Sequence, residues 1–442
     1  MRHAFRLFVC SFVLLTLPAF AAKLVRAQKP VKGSYIVVLE EAQRGRSAEV
    51  ASELASRHGA KAYAVFTEIF PGFAARMTEG QATAMLRDPR VAVIEEDAYG
   101  EVQATQTLPS FEWYALDRID QRQRGWSTYP YTPTYNYCQT GAGVKAYVID
   151  TGVWRDHVEF WTNGQSRVTA GFDFTGGPVW EGTADNPCPS FPTTCDNPAL
   201  PNLAHGTAVA SIIGGNTYGV AKGVTIVPIR VGGCDQSFSL AAVLQGLDAI
   251  VNTHAANEPA VLNMSFAFGW TYQDGVSMSY AVNRVIDDGV TVVAAAGNHN
   301  RDAMSFIPAN IPRVITVGGS DHWDRRWVAP YYDPNDPNEG SNWGGAIDLF
   351  APASVKSAGI WSCDAYGNAI RDPQAPRLGP GTGTSFSAAL VSGVVAQYLQ
   401  AHPAATPAQV TTWLLSNATT NALATTDPDL AGPNKLLYTN CQ

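Results

Sequence analysis

Four short motifs carry side chains able to do hydrolytic chemistry. Asp150-Thr151-Gly152 follows the apolar run VKAYVI, and His205-Gly206-Thr207 opens the small-residue run AVASIIGG. Asn298 closes AAAGN, and Gly383-Thr384-Ser385 opens SFSAALVSGVVAQYL. Each has an ordinary structural meaning on its own: a turn aspartate, a bonded core histidine, a turn asparagine, an N-cap serine. Asp-Thr-Gly also marks sites where two such aspartates share one proton. This chain has one Asp-Thr-Gly and no Asp-Ser-Gly, so that chemistry would require a dimer. Jointly the four supply what serine hydrolysis needs: a nucleophile, a base, an acid to orient the base, and an oxyanion donor. Ser385 is expected at a helix N-terminus, where free N–H groups and the macrodipole favour developing negative charge.

These residues need a frame that brings them together. Buried-strand candidates lie at 144–149, 225–229, 260–264, 290–294 and 314–317, with helix candidates at 207–213, 240–254 and 280–287. Repeated β–α alternation specifies a parallel sheet covered by helices, with sites at the carboxyl ends of the strands. In the helix after Ser385, residues Phe386, Leu390, Val394 and Tyr398 share one face. Ahead of this region runs a second pattern: a strand at 34–39, a helix at 46–58, a strand-turn-strand at 66–75, a helix at 78–87 and a strand at 91–94. That β-α-β-β-α-β order describes a small α+β ferredoxin-like sandwich. Residues 328–340, rich in Pro, Asp and Asn, read as a loop.

Of the 442 residues, 46% are hydrophobic and 15% charged, enough for a large core and against disorder. The net charge is −8 and Lys and Arg are not clustered, so neither nucleic acid nor membrane is an expected partner. Residues 104–442 hold 17 Lys plus Arg against 27 Asp plus Glu, a net charge of −10. The N-terminus pairs Arg2 and Arg6 with the apolar run 7–17 and the small-residue pattern Ala19-Phe20-Ala21, which reads as a signal peptide over 1–21. An exported chain can keep disulfides. Once Cys10 leaves with the signal, cysteines remain at 138, 188, 195, 234, 363 and 441, with their pairing open. The spacing of Cys188 and Cys195 does not fit a zinc clip.

The order Asp, His, Ser and the motifs AYVIDTGV, HGT-x-VA, NMS, AAAGN, ITVGGSD, IDLFAP and GTS resemble those of a subtilisin-like serine protease (a subtilase) of the proteinase K-like branch. The ending GPNKLLYT is similar to the end of that catalytic domain, so no further domain is expected. The segment SYIVVL…PGFAA…VAVIEEDA resembles the family's inhibitor prodomain. The resemblance implies an α/β fold, a subtilisin-like parallel sheet flanked by helices. It implies a signal peptide at 1–21, an inhibitor and chaperone prodomain at 22–104, and a catalytic domain at 105–442, with autocleavage between 103 and 107. Asp150 would orient His205, the general base and then acid. Ser385 would be the nucleophile, and Asn298 would donate to the oxyanion beside the Ser385 backbone N–H. Ser265, Phe266 and Ala267 would pair with substrate and edge the primary pocket, and Ala295, Ala296 and Gly297 would form its other wall. Gln236, Ser237 and Phe238 would form the opposite edge. Walls of Ala, Gly and Ser without an acid make that pocket apolar, and peptide would add as a strand. The implied protein is a secreted monomer acting on protein or peptide substrates, inhibited by its own prodomain, with no cofactor for chemistry.

Several positions depart from the family pattern. Phe386-Ser387-Ala388-Ala389 replaces the usual Met-Ala-x-Pro after the nucleophile, and Ala208 replaces a histidine. Gln236, Phe238 and Ala267 stand for glycines on the substrate edges, which should narrow the outer pockets. An insertion at 180–203, holding Cys188 and Cys195, precedes His205. Pro312, Val314 and Asp348 fall where relatives hold a structural calcium through two carbonyls and one aspartate, an oxygen-only set suited to Ca²⁺. Ile315 replaces a cysteine beside it. Two other functions fit a kept fold: a non-catalytic binding protein, and an esterase or lipase. The latter usually carries Gly-x-Ser-x-Gly, and Gly383-Thr384-Ser385-Phe386-Ser387 lacks the last glycine.

Overall fold

The computed structural model of the protein describes residues 23–26, 30–67, 70–98, 104–108, 114–124, 133–176, 182–188, 205–234, 238–269, 275–328, 339–363, 369–376, 381–424 and 432–439. The signal segment, Cys195, Cys441, Gln236, Ser237 and most of the insertion at 180–203 and of the loop at 328–340 lie outside them. The chain divides into two compact units, Met1–Val102 and Gln103–Gln442.

The first unit is built on a sheet of β1 (Lys23–Val25), β2 (Pro30–Leu39), β3 (Lys61–Phe66), β4 (Gly72–Arg76) and β5 (Val91–Ala98), in the order β1-β5-β2-β4-β3. Helices α1 (Ser47–His58) and α2 (Glu79–Met85) supply its other layer. Val37, Leu54, Phe73, Met85 and Ile94 are fully buried between them. Thr78 and Gln81 form a capping box that starts α2. Of the strand-turn-strand expected at 66–75, the second strand falls at β4, while the first lies ahead of the apolar run, at β3. Lys61–Phe66 alternates exposed and half-buried side chains as an edge strand does, and its alanines give little apolar signal. The short strand β1, parallel to β5, was not expected.

The second unit carries a nine-stranded sheet among the described residues. Its strands are β6 (Lys145–Asp150), β7 (Phe172–Asp173), β8 (Thr225–Arg230), β9 (Ala260–Met264), β10 (Thr291–Ala295), β11 (Ile315–Ser320), β12 (Leu349–Pro352), β13 (Thr419–Thr420) and β14 (Lys435–Leu436). The order is β7-β8-β6-β9-β10-β11-β12-β14-β13, parallel except for the last pair. β9, β10 and β11 are buried at every residue, because helices cover both faces and no alternation is needed. α3 (His205–Gly214) packs with α6 (Thr384–Ala401) on one face, and α4 (Leu240–Thr253) with α5 (Val276–Asp287) on the other. α5 begins four residues before the expected 280. α6 is not one-sided as its apolar spacing suggested. Ser387, Ala388, Ala389, Ser392 and Gly393 are buried as fully as Phe386 and Leu390, so small residues let it run through the core. α7 (Pro407–Asn417), unexpected, has the capping box Thr406–Gln409 and Pro407 in its first turn.

Cys188 and Cys234 form a disulfide across 46 residues, and Cys138 is also disulfide-bonded. No helix among the described residues is long and apolar enough to cross a membrane.

Candidate active site

The parallel sheet and two helix starts bring the four motifs to one edge. Asp150 ends β6, Asn298 follows β10, His205 is the first residue of α3, and Ser385 is the second of α6. Asp150 is fully buried, and its Oδ1 accepts the Thr151 N–H at 2.7 Å. His205 Nδ1 lies 2.8 Å from Oδ1 and 2.9 Å from Oδ2 of that carboxylate. A carboxylate only accepts, so Nδ1 carries the proton and Nε2 is left as the basic nitrogen.

The contact depends on partners that sequence reading did not assign. Gly206 N–H donates to Thr151 Oγ1 at 3.1 Å, and Trp154 N–H donates to Thr207 Oγ1 at 3.0 Å. The threonines of the two motifs thus cross-link the segments carrying Asp150 and His205. Gly206 is needed for closeness: a Cβ there would sit 2.3 Å from the Gly152 carbonyl oxygen and 3.1 Å from the Asp150 side chain. The motif glycines and threonines were the available signal, since a hydroxyl beside each acid or base residue can tie the two loops.

Ser385 does not hydrogen-bond His205 in this structure. Its Oγ donates to the Ser265 carbonyl at 3.0 Å, and Ser265 Oγ donates back to the Ser385 carbonyl at 2.9 Å. The His205 ring packs against Phe386, centroids 5.9 Å apart, one residue beyond the nucleophile candidate. Rotation of Ser385 about χ1, one staggered well to another, redirects the hydroxyl. Behind Ser265, Asn263 Nδ2 donates to Ser265 Oγ at 2.8 Å and Ser392 Oγ donates to Asn263 Oδ1 at 3.0 Å. This buried chain ties the third turn of α6 to its first through β9.

Asn298 has its oxygen engaged. Oδ1 accepts from the Thr384 N–H at 2.9 Å and from Thr384 Oγ1 at 2.8 Å, which turns Nδ2 away as a donor. Thr384 is fully buried and also accepts the Gly297 N–H at 3.1 Å.

Ser265, Phe266 and Ala267 continue from β9, with Ser265 buried and the next two half-buried. Phe268 N–H and carbonyl exchange bonds with Ile307 at 2.8 and 2.9 Å, which fixes the end of this edge. Ala295 ends β10 and Ala296 and Gly297 follow it, all three buried. The rings of Phe238 and Phe266 stack with centroids 5.2 Å apart, and Phe268 meets Phe266 edge-on at 5.9 Å.

Pro312, Val314 and Asp348 line one surface cavity of about 510 Å³, together with Gly289 and Thr406. Asp348 Oδ2 accepts the Thr316 N–H at 2.8 Å, and burial pushes its carboxyl up to about 6. Among the described residues no three His, Cys, Asp or Glu side chains gather as a metal site. A cation here would depend on one carboxylate and main-chain oxygens.

Comparison with known proteins agrees with this geometry. The sequence profile described as "Subtilase family" matches residues 141–433, and that described as "Peptidase inhibitor I9" matches 34–103. An "Extracellular serine proteinase" of Thermus sp. (strain Rt41A) is 38% identical over 86% of this chain and 78% of its own length. "Alkaline serine exoprotease A" of Vibrio alginolyticus is 33% identical over 91% of this chain and 67% of its own. "Proteinase R" of Parengyodontium album is 32% identical over 75% and 74%. A solved structure described as a cold adapted subtilisin-like serine proteinase superposes with a TM-score of 0.56 at 35% identity, covering 74% of this chain and 98% of that one.

Proposed function

The chain belongs to the subtilase family and is a serine endopeptidase carrying an I9 inhibitor domain ahead of its catalytic domain; from that premise we propose the roles of its residues. Ser385 is the nucleophile, His205 the general base and then acid, Asp150 the residue that orients His205, and Asn298 an oxyanion donor together with the Ser385 N–H. The observation that carries this assignment is the bond from His205 Nδ1 to the buried Asp150 carboxylate, beside a serine at the start of a long helix.

In the reaction His205 Nε2 takes the Ser385 hydroxyl proton as Oγ attacks the scissile carbonyl. The oxyanion receives the Asn298 Nδ2–H and Ser385 N–H bonds. His205 then passes the proton to the leaving amine, and water, deprotonated by the same nitrogen, releases the acyl group. No cofactor enters these steps. Asp150 stabilises the imidazolium formed in each half-reaction.

Substrate adds as a strand along Ser265, Phe266 and Ala267, with Ser237 and Phe238 on the opposite edge and Ala295, Ala296 and Gly297 closing an apolar primary pocket. A strict preference for Arg or Lys in a peptide library would overturn the apolar pocket. The chain acts as a secreted monomer on protein or peptide substrates, with its I9 domain as intramolecular inhibitor; the signal-like N-terminus and the printed name of the Thermus relative support export. The domains are a signal at 1–21, a prodomain at 22–104 and a catalytic domain at 105–442. Pro312, Val314 and Asp348 would hold a structural calcium through two carbonyls and a carboxylate, adding stability and no chemistry.

The intact masses of the secreted wild type and of Ser385→Ala test the assignment. Loss of the I9 segment from the wild type alone supports it. Equal maturation of both, combined with turnover of added peptide by the variant, would remove Ser385 from the role.

A further inference from the structure

We propose that Asn342 is a positioning residue for the oxyanion donor, fixing the backbone that aims Asn298. The inference rests on the reading of Asn298 given above.

Asn342 is completely buried, and its amide and backbone groups are all used. Its N–H donates to the Gly297 carbonyl at 2.9 Å, and its Nδ2 to the Ala296 carbonyl at 2.8 Å. Its Oδ1 accepts the His299 N–H at 3.1 Å and the Arg301 N–H at 3.0 Å. Its own carbonyl accepts Ser341 Oγ at 2.8 Å. Two carbonyls just before Asn298 and two amides just after it are therefore held by one residue. Asn298's own carbonyl accepts the Gly340 N–H at 3.1 Å from the same strip. The strip is anchored in turn: Gly319 N–H donates to Ser341 Oγ at 2.8 Å, and Arg326 bonds both Asn300 Oδ1 and the Ser341 carbonyl.

Only an asparagine of this length has both polarities the loop requires. Aspartate would lose the donor to Ala296, and an aliphatic residue would leave three backbone groups without this partner, the buried Ala296 carbonyl among them. Gly297 completes the fit: its φ is +100° and a Cβ would lie 2.4 Å from Asn342 Nδ2. Asn298 is thus held at two points, its side-chain oxygen by Thr384 on α6 and its backbone by Asn342. An oxyanion donor acts only when the transition state forms, so misplacing it should lower turnover and leave ground-state binding nearly untouched.

The test is a double-mutant cycle on secreted, mature enzyme: Asn342→Ala and Asn298→Ala, alone and combined. Active sites are counted with a covalent serine-directed probe, and kcat and KM are read on a peptide amide. The expected result is a fall in kcat per active site of about tenfold or more for Asn342→Ala, with KM within about twofold. Affinity for a tetrahedral peptide boronate should fall in parallel. In the Asn298→Ala background the same substitution should change kcat by less than about twofold, since its target is gone. An unchanged kcat, an effect on KM alone, or losses that multiply across the two backgrounds would overturn the proposal. If Asn342→Ala is not secreted, Asn342→Asp, which keeps the acceptor for His299 and Arg301, reads the same cycle. Failure of the underlying reading has a separate sign: Asn298→Ala would turn over like the wild type.

Discussion

His205 meets Asp150 because Thr151, Gly206 and Thr207 let two loops touch. Ser385→Ala should lower kcat by about 10⁶ and Asn298→Ala by about 10²–10³, both magnitudes set by subtilisin itself rather than by this geometry. Steady-state rates on a peptide amide check them. Gly206→Ala would press a methyl against the Gly152 carbonyl, and secretion and activity should both collapse. A well-secreted, active Gly206→Ala enzyme would contradict that close approach. A second histidine sets an acid limit. His157 is buried, accepts the Glu159 N–H on Nδ1 at 3.2 Å, and faces the Ala375 carbonyl through Nε2 at 3.1 Å. Only the neutral ring makes both bonds, and burial holds its pKa below the usual histidine range. The unfolded chain therefore takes up a proton first as pH falls, so stability should be full above about pH 6.5 and decline below it. Urea midpoints of the Ser385→Ala form across that range should show the slope, and His157→Gln should flatten it.

At the scale of elements, much of the frame is legible. Five parallel strands and three helices follow from apolar runs separated by turns, because a sheet covered on both faces leaves a continuous apolar record. The elements that escaped reading are short or locally weak. β13 and β14 span two residues each, and α7 was signalled only by Thr406-Pro407-x-Gln409, a capping box that could have been found. The four proposed catalytic residues sit in recognisable motifs, whereas Asn342 does not stand out in the sequence. A single loop asparagine acquires meaning only when a distant strand end is folded against it. The stacked rings of Phe238 and Phe266 also belong here. Phe238→Gly should widen the acceptance of bulky substrate side chains on the acyl side, raising their kcat/KM relative to small ones in a peptide library. An unchanged profile would leave the stack outside substrate contact.

The whole molecule is a chain in which one unit must be removed from another. Ala104–Thr107 pairs antiparallel with Thr134–Tyr137 inside the second unit, and Gln106 Nε2 donates to the Thr217 carbonyl at 3.0 Å. A cut late in that strand would sacrifice most of its rungs, so N-terminal sequencing of the mature enzyme is expected to begin at or before Thr105, in keeping with the 104/105 boundary. The Cys188–Cys234 bond closes a loop of 46 residues, worth about 4 kcal/mol in chain entropy. Its removal by Cys188→Ala with Cys234→Ala should lower the melting temperature of the Ser385→Ala form.

That same bond encloses His205. A single cut that a protease makes in its own chain between Cys188 and Cys234 leaves both pieces covalently joined. Such a singly nicked molecule would run at full size on a non-reducing gel and separate into fragments only after reduction, and its intact mass would differ by one added water. Preparations that look homogeneous without reductant would then contain self-cleaved enzyme, with His205 still tethered near Asp150.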